Sequence, residues 1–163
     1  SAGLSGTMFY VLAYGFSTLG AFAIVTLVRD PAGEATRLSQ WAGLGKTSPL
    51  VAGAMAILLL AFAGIPLTSG FTSKFAVFQA GIAGGATPVV IVGVIASAIA
   101  AFFYVRVIVL MFFTERADDA PAVVVPSSLT AIAIGVSVAV TVILGVLPES
   151  VLDLAYKAST FIR

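Results

Sequence analysis

Apolar residues fill four long stretches of this chain, and the polar residues between them come in short groups. The first stretch runs over about 7–28 and is stopped by Arg29-Asp30-Pro31, charge followed by a residue that cannot continue a helix. The second, 49–82, opens on Pro49, which suits the first turn of a helix with Ser48 as its N-cap. The third covers about 88–113 and the fourth about 127–147, where Pro148 ends it. A bilayer core about 30 Å thick takes roughly 20 apolar residues of helix, so the first, third and fourth stretches each predict one membrane crossing.

The second stretch is too long for that rule. A continuous helix over 49–82 would reach on the order of 50 Å, well past the bilayer core. It is therefore either a hairpin of two short helices or one crossing interrupted near 64–68, with Gly64-Ile65-Pro66 at the interruption and Gly70 just beyond it. Charge distribution separates the two. With one crossing, loops 29–48 and 114–126 lie on the same side, which then carries Arg29, Arg37, Lys46 and Arg116, with Arg106 within reach; the opposite link, 83–87, has no charge. A hairpin would split these cations between the two sides. The positive-inside rule thus predicts a single discontinuous crossing with loops 29–48 and 114–126 cytoplasmic. Trp41 in the first loop is expected to anchor at the interface. The tail, 148–163, mixes Val151, Leu152, Leu154, Ala155 and Phe161 with Asp153, Lys157 and Arg163, a pattern for a short amphipathic helix on the membrane surface or a neighbouring subunit.

Composition agrees with this layout. The 163 residues are 60% hydrophobic and only 9% charged, where a soluble domain carries roughly a quarter. The expected class is an all-α integral membrane protein in contact with the lipid bilayer. There is no basic patch for nucleic acid. The chain has no Cys and no His, which removes thiolate chemistry, Ser–His catalysis, His-based metal sites and the usual haem and iron–sulfur ligands from its own repertoire. Gly43-Leu-Gly-Lys-Thr47 lacks the spacing of a phosphate-binding loop. The chain opens at Ser1 without a charged leader, and we expect it to belong to a longer polypeptide.

One residue stands out against this background. Lys74 is the only charge between Lys46 and Arg106, and it falls just after the interruption. An ionisable side chain at membrane depth is by default a functional candidate, and broken helices are where transporters place their sites. On a helical wheel Lys74 shares its face with Gly70, Val77, Phe78 and Gly81, while Thr68, Thr72 and Gln79 lie on another face. No acid on the same helix can pair with it, so its partner must come from another helix or from water. Two bland alternatives compete with proton handling: a lysine that snorkels to the interface, and a structural ion pair. Elsewhere, Tyr10, Tyr14 and Ser17 form a polar stripe on the first span, and Ser97 and Tyr104 share a face of the third. Each stripe reads either as an interhelical hydrogen-bonding face or as the wall of a hydrated path. In the fourth span Thr130, Ser137 and Thr141 lie close to one face.

The run Leu60-Ala-Phe-Ala-Gly-Ile-Pro-Leu-Thr-Ser-Gly-Phe-Thr-Ser-Lys-Phe75, followed by Phe78, resembles the broken-helix signature of the antiporter-like membrane subunits of bacterial respiratory complex I. Phe9-Tyr-Val-Leu-Ala-Tyr-Gly-Phe-Ser-Thr-Leu-Gly-Ala-Phe22 and Phe102-Phe-Tyr-Val-Arg-Val107 are similar to the same family, and the likeness extends to about residue 147. The resemblance implies the C-terminal part of a fourteen-helix subunit with two inverted repeats, each holding a discontinuous helix on a proton path. It implies proton translocation coupled to electron transfer from NADH to quinone in other subunits of the complex, at the bacterial inner membrane. Lys74 matches the family's lysine on the exit half of that path. Thr68, Ser69, Thr72, Ser73, Gln79, Tyr10, Tyr14, Ser17 and Tyr104 become candidates for lining it. No cofactor is expected in this chain; NADH, FMN, iron–sulfur clusters and quinone are implied for the other subunits. A subunit of a multi-subunit cation/proton antiporter or of a membrane-bound hydrogenase module shares the signature and remains an alternative.

Overall fold

A computed structural model describes residues 2–160. Its main elements are helices: α1 (Ala2–Val25), α2 (Leu44–Thr47), α3 (Pro49–Ala63), α4 (Ser69–Ala83), α5 (Thr87–Phe113), α6 (Ser128–Val146) and α7 (Glu149–Thr160). Three segments, Gly3–Val25, Thr87–Phe113 and Ser128–Val146, are long and apolar enough to cross a membrane, and α3 is a shorter apolar helix. Helix α1 runs through the middle of the packing, touching α3, α4, α6 and α7, while α5 lies against α3 and α4. Much of α5 faces outward, with Phe102 and Val89 more than two-thirds exposed. Such a surface has to be covered by lipid or by further helices.

Local chemistry explains the helix ends. Pro49 is at the first position of α3, where its missing N–H costs nothing, although the Ser48 side chain makes no capping bond. Ser127 caps α6 by accepting from the Thr130 amide at 3.2 Å. Helix α3 ends on Gly64 in the left-handed region, φ +79°. There the Gly64 N–H bonds to Ala61 O and the Ile65 N–H reaches back to Leu60 O, the pattern of a glycine-terminated helix. Residues 64–68 are non-helical, and Leu67 also takes a positive φ, +72°. For a residue with a side chain that conformation is unfavourable and must be held by its surroundings.

The loops are more ordered than a polar connector requires. β1 (Val28–Asp30) pairs with β2 (Gly33–Glu34) in a hairpin and with β3 (Ala122–Val123) on its other edge, all antiparallel. Segments 29–48 and 114–126 are therefore stitched together. Gly43 N–H bonds to Leu110 O near the end of α5 at 3.0 Å, and the Arg116 guanidinium ties the two loops together through the carbonyls of Ala42 and Pro121. Trp41, expected at an interface, is instead 6% exposed. It packs in the core with Ala35, Leu44 and Met55, and its indole N–H donates to Ala35 O. The indole finds its polar partner inside the chain, so it has no need of the headgroup region.

A second, smaller core forms at the other end of α1, where Phe9 and Ala13 meet Leu144 and Ala155. This is how the tail is held: α7 lays Val151, Leu152 and Ala155 against α1 and α6, leaving Leu154 outward. Phe161 and Arg163, counted in the expected amphipathic pattern, lie outside the described residues.

Candidate functional site

The interruption brings two helix ends against each other. A Cβ built on Gly70 would sit 1.7 Å from the Ala61 carbonyl oxygen, so only glycine lets the first turn of α4 lie this close to the last turn of α3. One turn further along α4, Lys74 points back across the gap. Its Nζ donates to the Phe62 carbonyl at 2.7 Å, a short charge-assisted bond. Gly64 leaves room for the lysine stem; a Cβ there would meet Lys74 Cδ at 3.2 Å and Nζ at 3.4 Å. From the other side, α6 approaches through Gly145, where a Cβ would clash with Leu67 O at 2.4 Å.

Two spaces adjoin the ammonium. A cleft of about 310 Å³ is lined by Thr7 and Tyr10 of α1, Lys74, Val77 and Phe78 of α4, and Gly93 and Ser97 of α5. It is roomy enough for several waters and carries hydroxyls to bind them. On the other side of Lys74 is a void of only about 10 Å³, touched by Tyr10, Tyr14, Ser17, Phe62, Ser69 and Ser73 among others. Among the described residues no carboxylate lines either space. Around them runs a chain of rings: Tyr10 stacks on Tyr14 at 5.7 Å, Tyr14 meets Phe62 at 5.5 Å, and Phe62 meets Tyr104 at 5.6 Å.

The candidates named from the sequence separate by position. Lys74, Tyr10, Tyr14, Tyr104 and Ser97 converge on the interruption. Ser69 and Ser73 are buried there; the Ser69 hydroxyl has no partner among the described residues, and Ser73 donates to Gly70 O. Thr68 turns its hydroxyl to Ile65 O at 2.7 Å and so helps hold the non-helical segment. Thr72 is half-buried and Gln79 exposed, and neither lines the two spaces. Ser17 is shared: it touches the small void, but its hydroxyl bonds to Thr141 of α6 at 2.9 Å. Thr7 and the Phe62 carbonyl were missed. Thr7 looked like the start of a span. The Phe62 carbonyl did leave a signal, since Phe62 stands four residues before Pro66. Among the described residues no group of three or more His, Cys, Asp or Glu side chains is placed to hold a metal ion.

Comparisons with known proteins bear on this arrangement. Residues 1–100 match a family model described as NADH:quinone oxidoreductase/Mrp antiporter, transmembrane. Over 162 residues the chain is 72% identical to NADH-quinone oxidoreductase subunit N of Rhodococcus opacus, covering 99% of this chain and 30% of that protein. The chain thus spans somewhat under a third of that relative's length. Among solved structures it resembles a chain of respiratory complex I from Thermus thermophilus, with a TM-score of 0.80, 24% identity, and coverage of 92% of this chain and 34% of that one. It also resembles a chain of the Mrp complex from a Dietzia species, with a TM-score of 0.77, 23% identity, and coverage of 95% and 37%. At these identities the two structures speak for the fold alone.

Proposed function

The chain belongs to the NADH:quinone oxidoreductase/Mrp antiporter transmembrane family, and from that premise we propose that it is the C-terminal part of subunit N of a proton-translocating NADH-quinone oxidoreductase. In this reading it moves protons through a hydrated path that contains Lys74, at the inner membrane of a bacterium and beside other membrane subunits. NADH, FMN, iron–sulfur clusters and quinone belong to those partners. The observation that carries the reading is the lone ammonium at the interruption, bonded to a main-chain carbonyl and open to a cleft lined by hydroxyls.

Helices α3 and α4 make one discontinuous crossing. Each has 15 residues, about 22 Å of helix, which falls short of the bilayer core by itself. The pairing of β1 with β3 supports this, because it keeps loops 29–48 and 114–126 on one side, here assigned as cytoplasmic. Lys74 takes a proton from a central water chain supplied by the rest of the subunit. It passes the proton into the cleft past Thr7, Tyr10 and Ser97, toward the outer side. A lysine suits this role because its amine exchanges protons when taken out of water, as a guanidinium does not.

Lys74→Ala in the assembled complex tests the proposal through proton translocation and NADH–quinone turnover in sealed vesicles. Both are expected to fall together, and Lys74→Arg is expected to impair translocation as well. Unchanged proton-to-electron stoichiometry and turnover in Lys74→Ala would remove the proton-path role. The family description, which spans Mrp antiporters as well as the oxidoreductase, favours one second reading, a cation/proton antiporter subunit. Sodium-dependent proton flux without NADH oxidation would select it.

A further inference from the structure

We propose that Pro66 is a positioning residue for Lys74: lacking an amide N–H, it leaves the Phe62 carbonyl unpaired, and that carbonyl is the fixed acceptor that holds the Lys74 side chain at the interruption. The inference rests on reading Lys74 as the proton carrier, and it adds the group that fixes the carrier in place.

The argument is an accounting of carbonyls at the end of α3. In a continuing helix the carbonyl of residue 62 would accept from the N–H of residue 66. Residue 66 is proline and has none to give. The neighbouring amides are already committed: Gly64 N–H to Leu60 O and Ala61 O, both at 3.0 Å, and Ile65 N–H to Leu60 O at 3.1 Å. The glycine-terminated ending thus satisfies the carbonyls of Leu60 and Ala61 and passes over that of Phe62. A carbonyl left unpaired at membrane depth is costly, and so is an ammonium without an anion. Each of the two answers the other's need at 2.7 Å. The close approach at Gly70 sets the register, and the missing Cβ of Gly64 opens the lane for the lysine stem. Among the described residues, the titratable groups facing Lys74 from the other helices are Tyr10 and Tyr14 of α1, with Tyr104 of α5 behind Phe62; α3 and α6 carry none. The carbonyl dipole therefore stands where a carboxylate would otherwise be needed. It gives the amine a hydrogen-bond partner without the full charge of an ion pair.

A mere helix breaker would make a different prediction, and backbone chemistry separates the two. Pro66→Ala supplies an N–H that competes for the Phe62 carbonyl. Pro66→lactic acid, introduced as a backbone ester by nonsense suppression, removes the ring but still has no N–H. Ala63→lactic acid leaves Pro66 in place and turns the Phe62 carbonyl into an ester carbonyl, a weaker acceptor. The readout is carbamylation of Lys74 by cyanate at pH 7 in the assembled complex, followed by peptide mass spectrometry and normalised to the exposed Lys46. Only the unprotonated amine reacts. In Pro66→Ala, Lys74 is expected to react about tenfold faster than in the native chain, as loss of a charge-assisted bond implies. Ala63→lactic acid is expected to move in the same direction by a smaller factor, and Pro66→lactic acid to stay near the native rate. Native rates in both Pro66→Ala and Ala63→lactic acid would overturn the inference, as would equal acceleration in the two position-66 variants. If Pro66→Ala fails to assemble, the Ala63 ester decides alone. Failure of the proton-path reading would show separately, as unchanged translocation in Lys74→Ala, and would leave the labelling result standing.

Discussion

Helix α1 meets its neighbours through polar groups at two places, and the two places are built differently. Toward α6 the contact is tight and closed. Gly20 is pressed against Ser137, where a Cβ would come within 2.5 Å of the serine Cβ, and Ser17 and Thr141 join hydroxyl to hydroxyl with both residues almost fully buried. Toward α4 the contact is open. Tyr10 and Tyr14 stack on each other, Tyr14 is nearly half exposed and reaches the small void beside Lys74, and Tyr10 lines the cleft that opens onto the lysine. One polar stripe on one helix therefore serves as glue at one end and as the wall of a chamber at the other. Small and hydroxyl residues allow close approach and mutual satisfaction. Aromatic side chains are too bulky for that and instead hold space around the group they surround.

This contrast can be broken from either side. The largest effect is expected from Lys74→Ala, which should cut proton translocation by about a hundredfold, the usual scale for loss of a positioned proton-transfer group, while the complex still assembles. Gly20→Val attacks the closed contact. It should destabilise the α1–α6 packing by about 3 kcal/mol, the upper end for overpacking, and show as loss of the subunit from the complex on heating in native gels. Thr141→Val strands the Ser17 hydroxyl without a partner. It should cost about 1 kcal/mol of thermal stability in the same assay and leave translocation unaltered. A translocation defect in a Thr141→Val complex of normal stability would place Ser17 on the proton path and erase the distinction. The smallest effect is expected from Tyr14→Phe, which keeps the ring contacts and removes only a hydroxyl. A few-fold slowing of translocation at unchanged stability would confirm that the open face works through its polar groups.

The amino-acid sequence alone marked out the long apolar runs, the interruption around Gly64 and Pro66, and the singular status of Lys74, although α1 runs Ala2–Val25 rather than 7–28 and α2 lies within the segment read as a loop. These are local properties: the length of an apolar run, the missing N–H of proline, and a charge with no neighbour of its kind. It also identified Tyr10, Tyr14, Ser97 and Tyr104 as faces, since helical spacing alone defines a face. What lies opposite a face depends on which helices pack together, and periodicity holds no record of that. Tertiary structure alone therefore divided the α1 stripe, drew Trp41 into the core, paired β1 with β3, and turned α7 onto α1 and α6. It also chose the partner of Lys74. Two helix ends had to fold back to within touching distance at Gly70 before a lysine on one could find the carbonyl that a proline had left free on the other.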